Sequence, residues 1–324
     1  MTKGWLLSED KSELLFHSFV NQNFNKNPSY TVVSSALNHR DLWITKGKYP
    51  SIKAGVVLGS DGCIIHDDLY YILNPSLNWG GDQKVQSLAY TVLGMPTFGT
   101  FAKEIAIDSS QLVPKPPHLD VFQAAALPLA GLTAYRALIV KCMPLAGEKV
   151  LISGIGGGVA LFSLQFALAL GCEVYVTSSS GQKLDKAIKL GAKKGYNYMD
   201  STWTKQLMAD IGGVDIVIDS AGGESFNDLV KVTNLGGRIA FYGGSNGLIN
   251  GLNPQTIFWR QISLYGSTMG SDADFIAMID FVNRYQIVPV VDEILPLSAL
   301  KHGLEKMNNK EQFGKIVFEH NDCN

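Results

Sequence analysis

The sequence predicts an α/β protein of two domains, one built on a doubly wound parallel sheet and a smaller one rich in β-strand. Three observations carry this. From Lys149 onward short apolar runs alternate with helical segments, and that alternation requires parallel strands with helices over both faces. Residues 1–115 instead carry strand-like runs interrupted by "NKNPS", "GKYP", "GSDG", "NPSLNWGG" and "GMPTFGT", which read as turns. After about residue 285 the chain returns to short β-like pieces such as "GKIVFEH", which suit packing back on the first domain. At 324 residues the chain is long enough for two cores.

The elements follow in order. "VPKPPHLD" (113–120) is proline-rich and reads as a boundary, and "VFQAAALPLAGLTAYRALIV" after it is helical in composition. "KVLIS" is a strand that leads into a helix ending near Gly171; "CEVYVT" is the next strand and "QKLDKAIKLGA" the next helix. A short strand near Tyr196–Tyr198 precedes the helix "TWTKQLMADI". Then come the strand "VDIVIDS", the helix "ESFNDLVKVTNL", the strand "GRIAFYG", a helix around "PQTIFWRQ" and the strand "ISLYGS". The expected domains are 1–117, 118–270, and a segment 271–324 that returns to the first.

Composition excludes several classes. With 46% hydrophobic and 17% charged residues the chain is that of an ordinary folded protein, and a net charge of −2 gives no reason to expect nucleic acid or an anionic membrane as partner. Cys63, Cys142, Cys172 and Cys323 are scattered, with no CxxC pair, which suits a reducing cytosol. The N-terminus "MTKGWLLSED" lacks the apolar region of a secretory signal, so a cytoplasmic location is expected. Between Lys149 and Glu173 lie 23 uncharged residues, long enough to cross a bilayer. Their glycine cluster divides them into a strand-type and a helix-type segment, and no basic flank orients them, so no membrane span is expected.

That glycine cluster, "SGIGGGVA", is the first candidate site. It follows a strand, opens a helix and places a small residue at every third position: Gly154, Gly157 and Ala160. Small residues there permit the tight turn, let backbone N–H groups approach a pyrophosphate and let the helix pack on the sheet. The helix N-terminus favours the negative charge. An acidic residue at the end of the second strand would bind the ribose hydroxyls of NAD. Here "VYVTSSSGQK" presents Ser178, Ser179 and Ser180 there, followed by Lys183, and no acid appears before Asp185. Hydroxyls and an ammonium complement a 2′-phosphate, which points to NADP rather than NAD. The same serines also suit a turn and a helix cap.

"NHRDLWITKGKYP" (38–50), "LGSDGC" (58–63), "LPLAGLTAYRAL" (127–138), "GGRIAFYG" (236–243), "YGSTMGS" (265–271) and "FGKIVFEH" (313–320), with the glycine turn, occur in an order and spacing that cover nearly the whole chain. In this the chain resembles the medium-chain dehydrogenases/reductases, and within them the zinc-free quinone oxidoreductases. The resemblance implies a GroES-like catalytic domain, a Rossmann domain with NADP(H) bound in the cleft between them, and a homodimer. It places Gly157, Gly158 and Val159 at the pyrophosphate, and Ser178, Lys183 and Tyr198 around the 2′-phosphate. Thr133 and the backbone of Tyr242, Gly243 and Gly244 fall at the nicotinamide end. Asn38, Asp41, Trp43 and Tyr49 line the cleft, and Lys315 closes it. The third small residue of the turn is Ala160 where many relatives have glycine.

In zinc-dependent relatives a cysteine stands at the position of Asn38 and a His-Glu pair at Ser60-Asp61, so the resemblance implies no metal. His39 stands alone beside Asn38 and Arg40, and His66 with Asp67 has no cysteine partner at ligand spacing. Without a Lewis acid, a quinone or an α,β-unsaturated carbonyl is the acceptor that takes hydride most readily, because the charge spreads into a conjugated system. Tyr49 aligns with the proton donor of enoyl-reductase relatives; Asn38 and Asp41 are the other catalytic candidates, and Trp43 offers a flat face to a planar substrate. Two rivals stand beside this reading: an NAD(P)-dependent alcohol dehydrogenase, and a low-turnover NADPH-binding protein serving as sensor, lens-type structural protein or AU-rich RNA binder.

Overall fold

A computed structural model describes residues 2–11, 13–20 and 27–321. The chain divides into two compact units, residues 1–132 with 270–324, and residues 133–269. The proline-rich stretch 113–120 and the segment up to residue 132 therefore belong to the first unit.

The second unit is a six-stranded parallel sheet. Its spatial order is Lys194–Asn197, Glu173–Ser178, Lys149–Ile152, Val214–Asp219, Thr233–Phe241, Ser263–Gly266. Numbered along the chain this is 3-2-1-4-5-6, the doubly wound Rossmann arrangement. Val150, Leu151 and Ile152 of the central strand are wholly buried, as are Ile216, Val217 and Ile218 beside them; this is why these runs are apolar throughout instead of alternating. The helix Gly158–Ala169 buries Leu161, Phe162, Leu164 and Phe166. The 23-residue uncharged stretch is thus an inner strand and a buried helix. No helix among the described residues is long and apolar enough to cross a membrane.

One helical expectation is corrected, and another holds with breaks. The segment "ESFNDLVKVTNL" is helical only over Phe226–Val232, and Thr233 already belongs to the next strand, Thr233–Phe241. The Thr233 hydroxyl donates to the Leu229 carbonyl at 2.7 Å and its backbone is extended (φ −76°, ψ 134°), which ends the helix there. The segment after residue 120 is three pieces: Val121–Ala126, Pro128–Tyr135 and a π-helical turn, Arg136–Cys142. Asp120 caps the first, accepting from the N–H groups of Phe122 and Gln123, and Pro128 opens the second, where its missing N–H costs least.

The first unit contains a seven-stranded sheet ordered Val291–Pro296, Lys315–Glu319, Ser29–Ala36, Asp61–His66, Leu69–Leu73, Leu112–Pro114, with Glu104–Ala106 also paired to Ser29–Ala36. Two helices in this unit escape a reading based on turn signals. His39–Thr45 follows directly on the strand Ser29–Ala36. Leu300–Asn308 lies in the tail and buries Leu300, Leu304 and Met307 at helical spacing. Register decides what meets at the end of this sheet. Ala36 lies opposite Asp61 on one side and Val317 on the other, and the Leu37 N–H donates to the Ile316 carbonyl at 2.9 Å. The start of the helix His39–Thr45, Asp61 and Lys315 are thereby brought together.

Candidate functional site

Two groups of predicted residues converge, one in each unit. In the first, Lys315 and Asp61 form a buried ion pair at 2.8 Å, 4% and 0% exposed at the side chain. The ammonium also donates to the Leu37 carbonyl (2.8 Å) and to the Asn38 amide oxygen (2.7 Å). Its three donors are therefore all committed. Asp61 is equally occupied: one carboxylate oxygen also accepts from Asn38 Nδ2 (2.9 Å) and the other from the Leu129 N–H (2.7 Å). Asn38, the residue before the helix His39–Thr45, receives one hydrogen bond at its side-chain oxygen and gives one from its nitrogen.

Asp41, one turn into that helix, is fully buried. Its Oδ2 accepts from the Asn38 N–H at 2.9 Å, while its Oδ1 has no hydrogen-bond partner. Burial pushes its carboxyl up to about 6, against the opposing pull of Arg40, the Asn38 N–H and Lys315; the Asp61 charge adds to the rise. Tyr49 is half-buried and its hydroxyl accepts from Arg40 Nε at 3.2 Å. Trp43 is half-buried.

This set does not fit a metal ion. Where the resemblance implies a cysteine and a His-Glu pair in zinc-dependent relatives, this chain has Asn38 and Ser60-Asp61, and a cationic ammonium sits between Asn38 and Asp61, whose side-chain oxygens already accept hydrogen bonds. His39 is exposed, and His66 faces Asp67 at 3.5 Å on an exposed hairpin turn. Among the described residues no group of three or more histidine, cysteine, aspartate or glutamate side chains converges. Cys63, Cys142 and Cys172 are buried, and desolvation raises all three thiols, to about 12, 12 and 11; none has the character of a nucleophile. Cys323 lies outside the described residues.

In the second unit the strand Lys149–Ile152 runs into Ser153 and Gly154, and Gly157 is the residue before the helix Gly158–Ala169. Gly154 (φ +63°) and Gly156 (φ +128°) occupy backbone that L side chains rarely adopt. A Cβ placed on Gly154 or Gly157 would meet no atom within 4 Å, so the open space above this turn is not filled by the protein. Gly157, Gly158 and Val159 are partly exposed there. This is a cradle that suits a pyrophosphate at a helix N-terminus. At the end of the neighbouring strand, Ser178 Oγ accepts from the Ser180 N–H (3.1 Å) and Ser180 Oγ from the Lys183 N–H (3.4 Å), capping the helix Gly181–Lys189. The Tyr198 N–H donates to the Ser178 carbonyl at 3.3 Å, Tyr198 is exposed, and Ser179 is exposed between them. Ser178, Ser179, Ser180, Lys183 and Tyr198 thus gather at one strand end. Thr133 is buried, its hydroxyl 3.8 Å from Met269 Sδ.

Sequence reasoning missed Asp219 and Ser153. Asp219 ends the strand Val214–Asp219, accepts from Ser153 Oγ and from the Gly222 N–H (2.8 Å), and its carbonyl accepts from the Tyr242 N–H (3.0 Å). It ties the glycine turn to the next two strand-end loops. Burial raises the Tyr242 phenol above its usual range; Asp219 adds to this and a hydrogen bond with Ser220 opposes it. Gly243 has no room for a side chain, because a Cβ would stand 2.6 Å from the Ser220 carbonyl, and Gly244 is exposed beyond it. An acid closing the mostly apolar strand "VDIVIDS", whose other acid is Asp215 near its start, was the available signal.

Comparison with known proteins bears on this arrangement. The family model for zinc-binding dehydrogenases matches residues 158–284. Over 317 residues the chain is 33% identical to the zinc-type alcohol dehydrogenase-like protein YogA of Leptosphaeria maculans, covering 88% of each protein. The chain belongs to the medium-chain dehydrogenase/reductase superfamily. As a member of it, the protein is an oxidoreductase with a GroES-like and a Rossmann domain. Another superfamily member, the quinone oxidoreductase of Rattus norvegicus, is 27% identical over 228 residues, 68% of this chain and 69% of that protein. A crystal structure titled NAD-dependent alcohol dehydrogenase superposes with a TM-score of 0.89 at 30% identity, over 99% of this chain and all of the other. The match to the zinc-binding family model falls on the nucleotide-binding portion and the segment after it, and does not include Asn38, Ser60 or Asp61.

Proposed function

We propose that the protein is an NADPH-dependent, zinc-free reductase of quinones or α,β-unsaturated carbonyls. The observation that carries this reading is the Lys315 ammonium held between Asn38 and Asp61, where a metal-dependent relative needs free ligands. With no Lewis acid to polarise an isolated carbonyl, a conjugated acceptor is the one whose reduction needs least help. The glycine turn at 154–158 would hold the pyrophosphate, with Thr133 and the backbone at 242–244 toward the nicotinamide, and the hydroxyl-rich strand end at Ser178–Ser180 with Lys183 and Tyr198 would take the 2′-phosphate. Bound there, the reduced nicotinamide supplies a hydride to the conjugated acceptor. Tyr49 then gives its hydroxyl proton to the substrate oxygen, and Asn38 and Asp41 shape the polar floor beside it. Lys315 serves this site by holding Asn38 and Asp61 in place, since its own donors are used. A homodimer and a cytoplasmic location belong to the same reading; sedimentation across a concentration series and fractionation of cells read them directly.

The test is NADPH oxidation by purified, chelator-treated protein with a benzoquinone, a conjugated enal and a saturated aldehyde. Turnover with either conjugated acceptor and none with the aldehyde is the expected result. Turnover with the aldehyde that depends on added zinc would establish an alcohol dehydrogenase instead, and binding of NADPH with no turnover on any acceptor would favour a binding role. Cofactor choice is tested separately: Ser178→Ala with Lys183→Ala should weaken NADPH by roughly 30-fold or more while NADH changes less than threefold, the loss expected for charge-assisted hydrogen bonds to a phosphate. Equal loss of both cofactors, measured by fluorescence titration, would put the 2′-phosphate elsewhere.

A further inference from the structure

Arg40 has no place in the reading so far, yet the residue is buried, only 8% exposed. A buried guanidinium is costly unless its donors are satisfied, and here every hydrogen-bond partner is uncharged. One terminal nitrogen donates to Ser60 Oγ and the Leu93 carbonyl (2.8 Å), and the other to the Met95 carbonyl (3.3 Å). Ser60 is itself held, donating to the same Leu93 carbonyl at 2.7 Å. The fork is therefore fixed in orientation by the 93–95 segment and Ser60, and its Nε–H points at the Tyr49 oxygen. The guanidinium carbon lies 4.8 Å from the centre of the Tyr49 ring.

A guanidinium carries donors and no acceptor. The Tyr49 oxygen can only receive from it, so the phenolic hydrogen is turned away from Arg40. No other hydrogen bond engages the Tyr49 hydroxyl among the described residues, and the side chain is half-buried, with part of its surface open. The arrangement fixes the polarity of this hydroxyl: acceptor on the protein side, donor on the open side. It also sets a fixed positive charge against the oxygen that turns negative when the proton leaves.

We propose that Arg40 is a positioning residue that presents Tyr49 as an obligate proton donor and stabilises the phenolate formed on transfer. This rests on the reading of Tyr49 as the donor. The balance of the step is simple. The π-electron pair displaced by the incoming hydride moves onto the substrate oxygen. The Tyr49 O–H bond breaks and its proton joins that oxygen, and the resulting phenolate, held by Arg40 Nε–H, takes a proton from water. The enol so released becomes the saturated carbonyl, or the hydroquinone where the acceptor is a quinone.

The experiment is a double-mutant cycle on the full-length protein, with Arg40→Gln, Tyr49→Phe and the pair, read as kcat with the conjugated acceptor that the wild type turns over best. Arg40→Gln alone should lower kcat at least 30-fold while NADPH affinity stays within twofold. In the Tyr49→Phe background the same change should cost less than twofold, because no phenol remains to be presented. Equal losses in both backgrounds would show that Arg40 only supports the fold, and no loss in the wild-type background would overturn the proposal outright. A Tyr49→Phe variant with full activity would instead sink the donor reading on which the proposal stands. Should Arg40→Gln not fold, Ser60→Ala removes one anchor of the fork. It should give a smaller loss, about threefold, that again vanishes with Tyr49→Phe. A readout without turnover uses tyrosine labelled with carbon-13 at Cζ, in the cofactor-free protein. The Tyr49 resonance, identified by its absence in Tyr49→Phe, should move on Ser60→Ala, and an unmoved resonance would mean that the fork does not reach the phenol.

Discussion

Asp61→Ala should lower the stability of the first unit by about 3–5 kcal/mol, the usual cost of leaving one member of a buried ion pair unpaired. Three groups lose their partner at once: the Lys315 ammonium, the Asn38 side-chain nitrogen and the Leu129 N–H. Of these the ammonium matters most, since Leu37 and Asn38 still offer it two neutral acceptors but no charge. The loss is a large fraction of the total stability of a typical domain. Adding Lys315→Met should recover at least half of it, because the double variant no longer leaves the buried ammonium without its counter-charge. Urea titration followed by far-ultraviolet circular dichroism, with a probe at Trp5 or Trp79 for the first unit, reports both. A loss under 1 kcal/mol for Asp61→Ala would mean that the pair does not carry the local structure.

Legibility in the sequence varied with how local the cause was. The second unit could be read almost strand by strand because inner parallel strands are apolar throughout, as at Val150–Ile152, and because the glycine turn is a backbone requirement written in adjacent residues. The end of the helix at Val232 was not legible: Val230, Val232 and Thr233 suit strand and helix alike, and pairing of Thr233 with Val214 decides it. In the first unit, helix Leu300–Asn308 had the right spacing of apolar residues but sits in a tail whose neighbours are strands. Asn38, Asp41, Tyr49 and Lys315 were singled out by resemblance, yet their contacts were not. Lys315 is 277 residues from Asn38 and meets it only through sheet register. Nothing local in "NHRDL" marks Arg40 as buried, and only the fold shows it enclosed.

Asp41→Asn should stabilise the protein at neutral pH, and the gain should vanish in acid. The native carboxyl titrates near 6, above the ordinary 3.8 of the unfolded chain. Between those values the native state holds more protons than the unfolded state, so stability falls as pH rises through this window and levels off above it. The rise from 3.8 to about 6 corresponds to roughly 3 kcal/mol of destabilisation at pH 7 and above. Asparagine carries no charge, and its side-chain oxygen can still accept from the Asn38 N–H. Its amide nitrogen replaces Oδ1, which has no partner now, and an unsatisfied donor there costs about 1–3 kcal/mol. The net gain at pH 7 is therefore expected to be about 0–2 kcal/mol, and below pH 4 the variant should be no more stable than the wild type. Urea titrations of both proteins at each unit from pH 4 to 8 test this. Stability curves that run parallel across that range would show that Asp41 is ionised throughout and that its burial is compensated by the neighbouring cations. A stabilised variant with reduced turnover would instead mean that this strained carboxylate is retained for its part in the site.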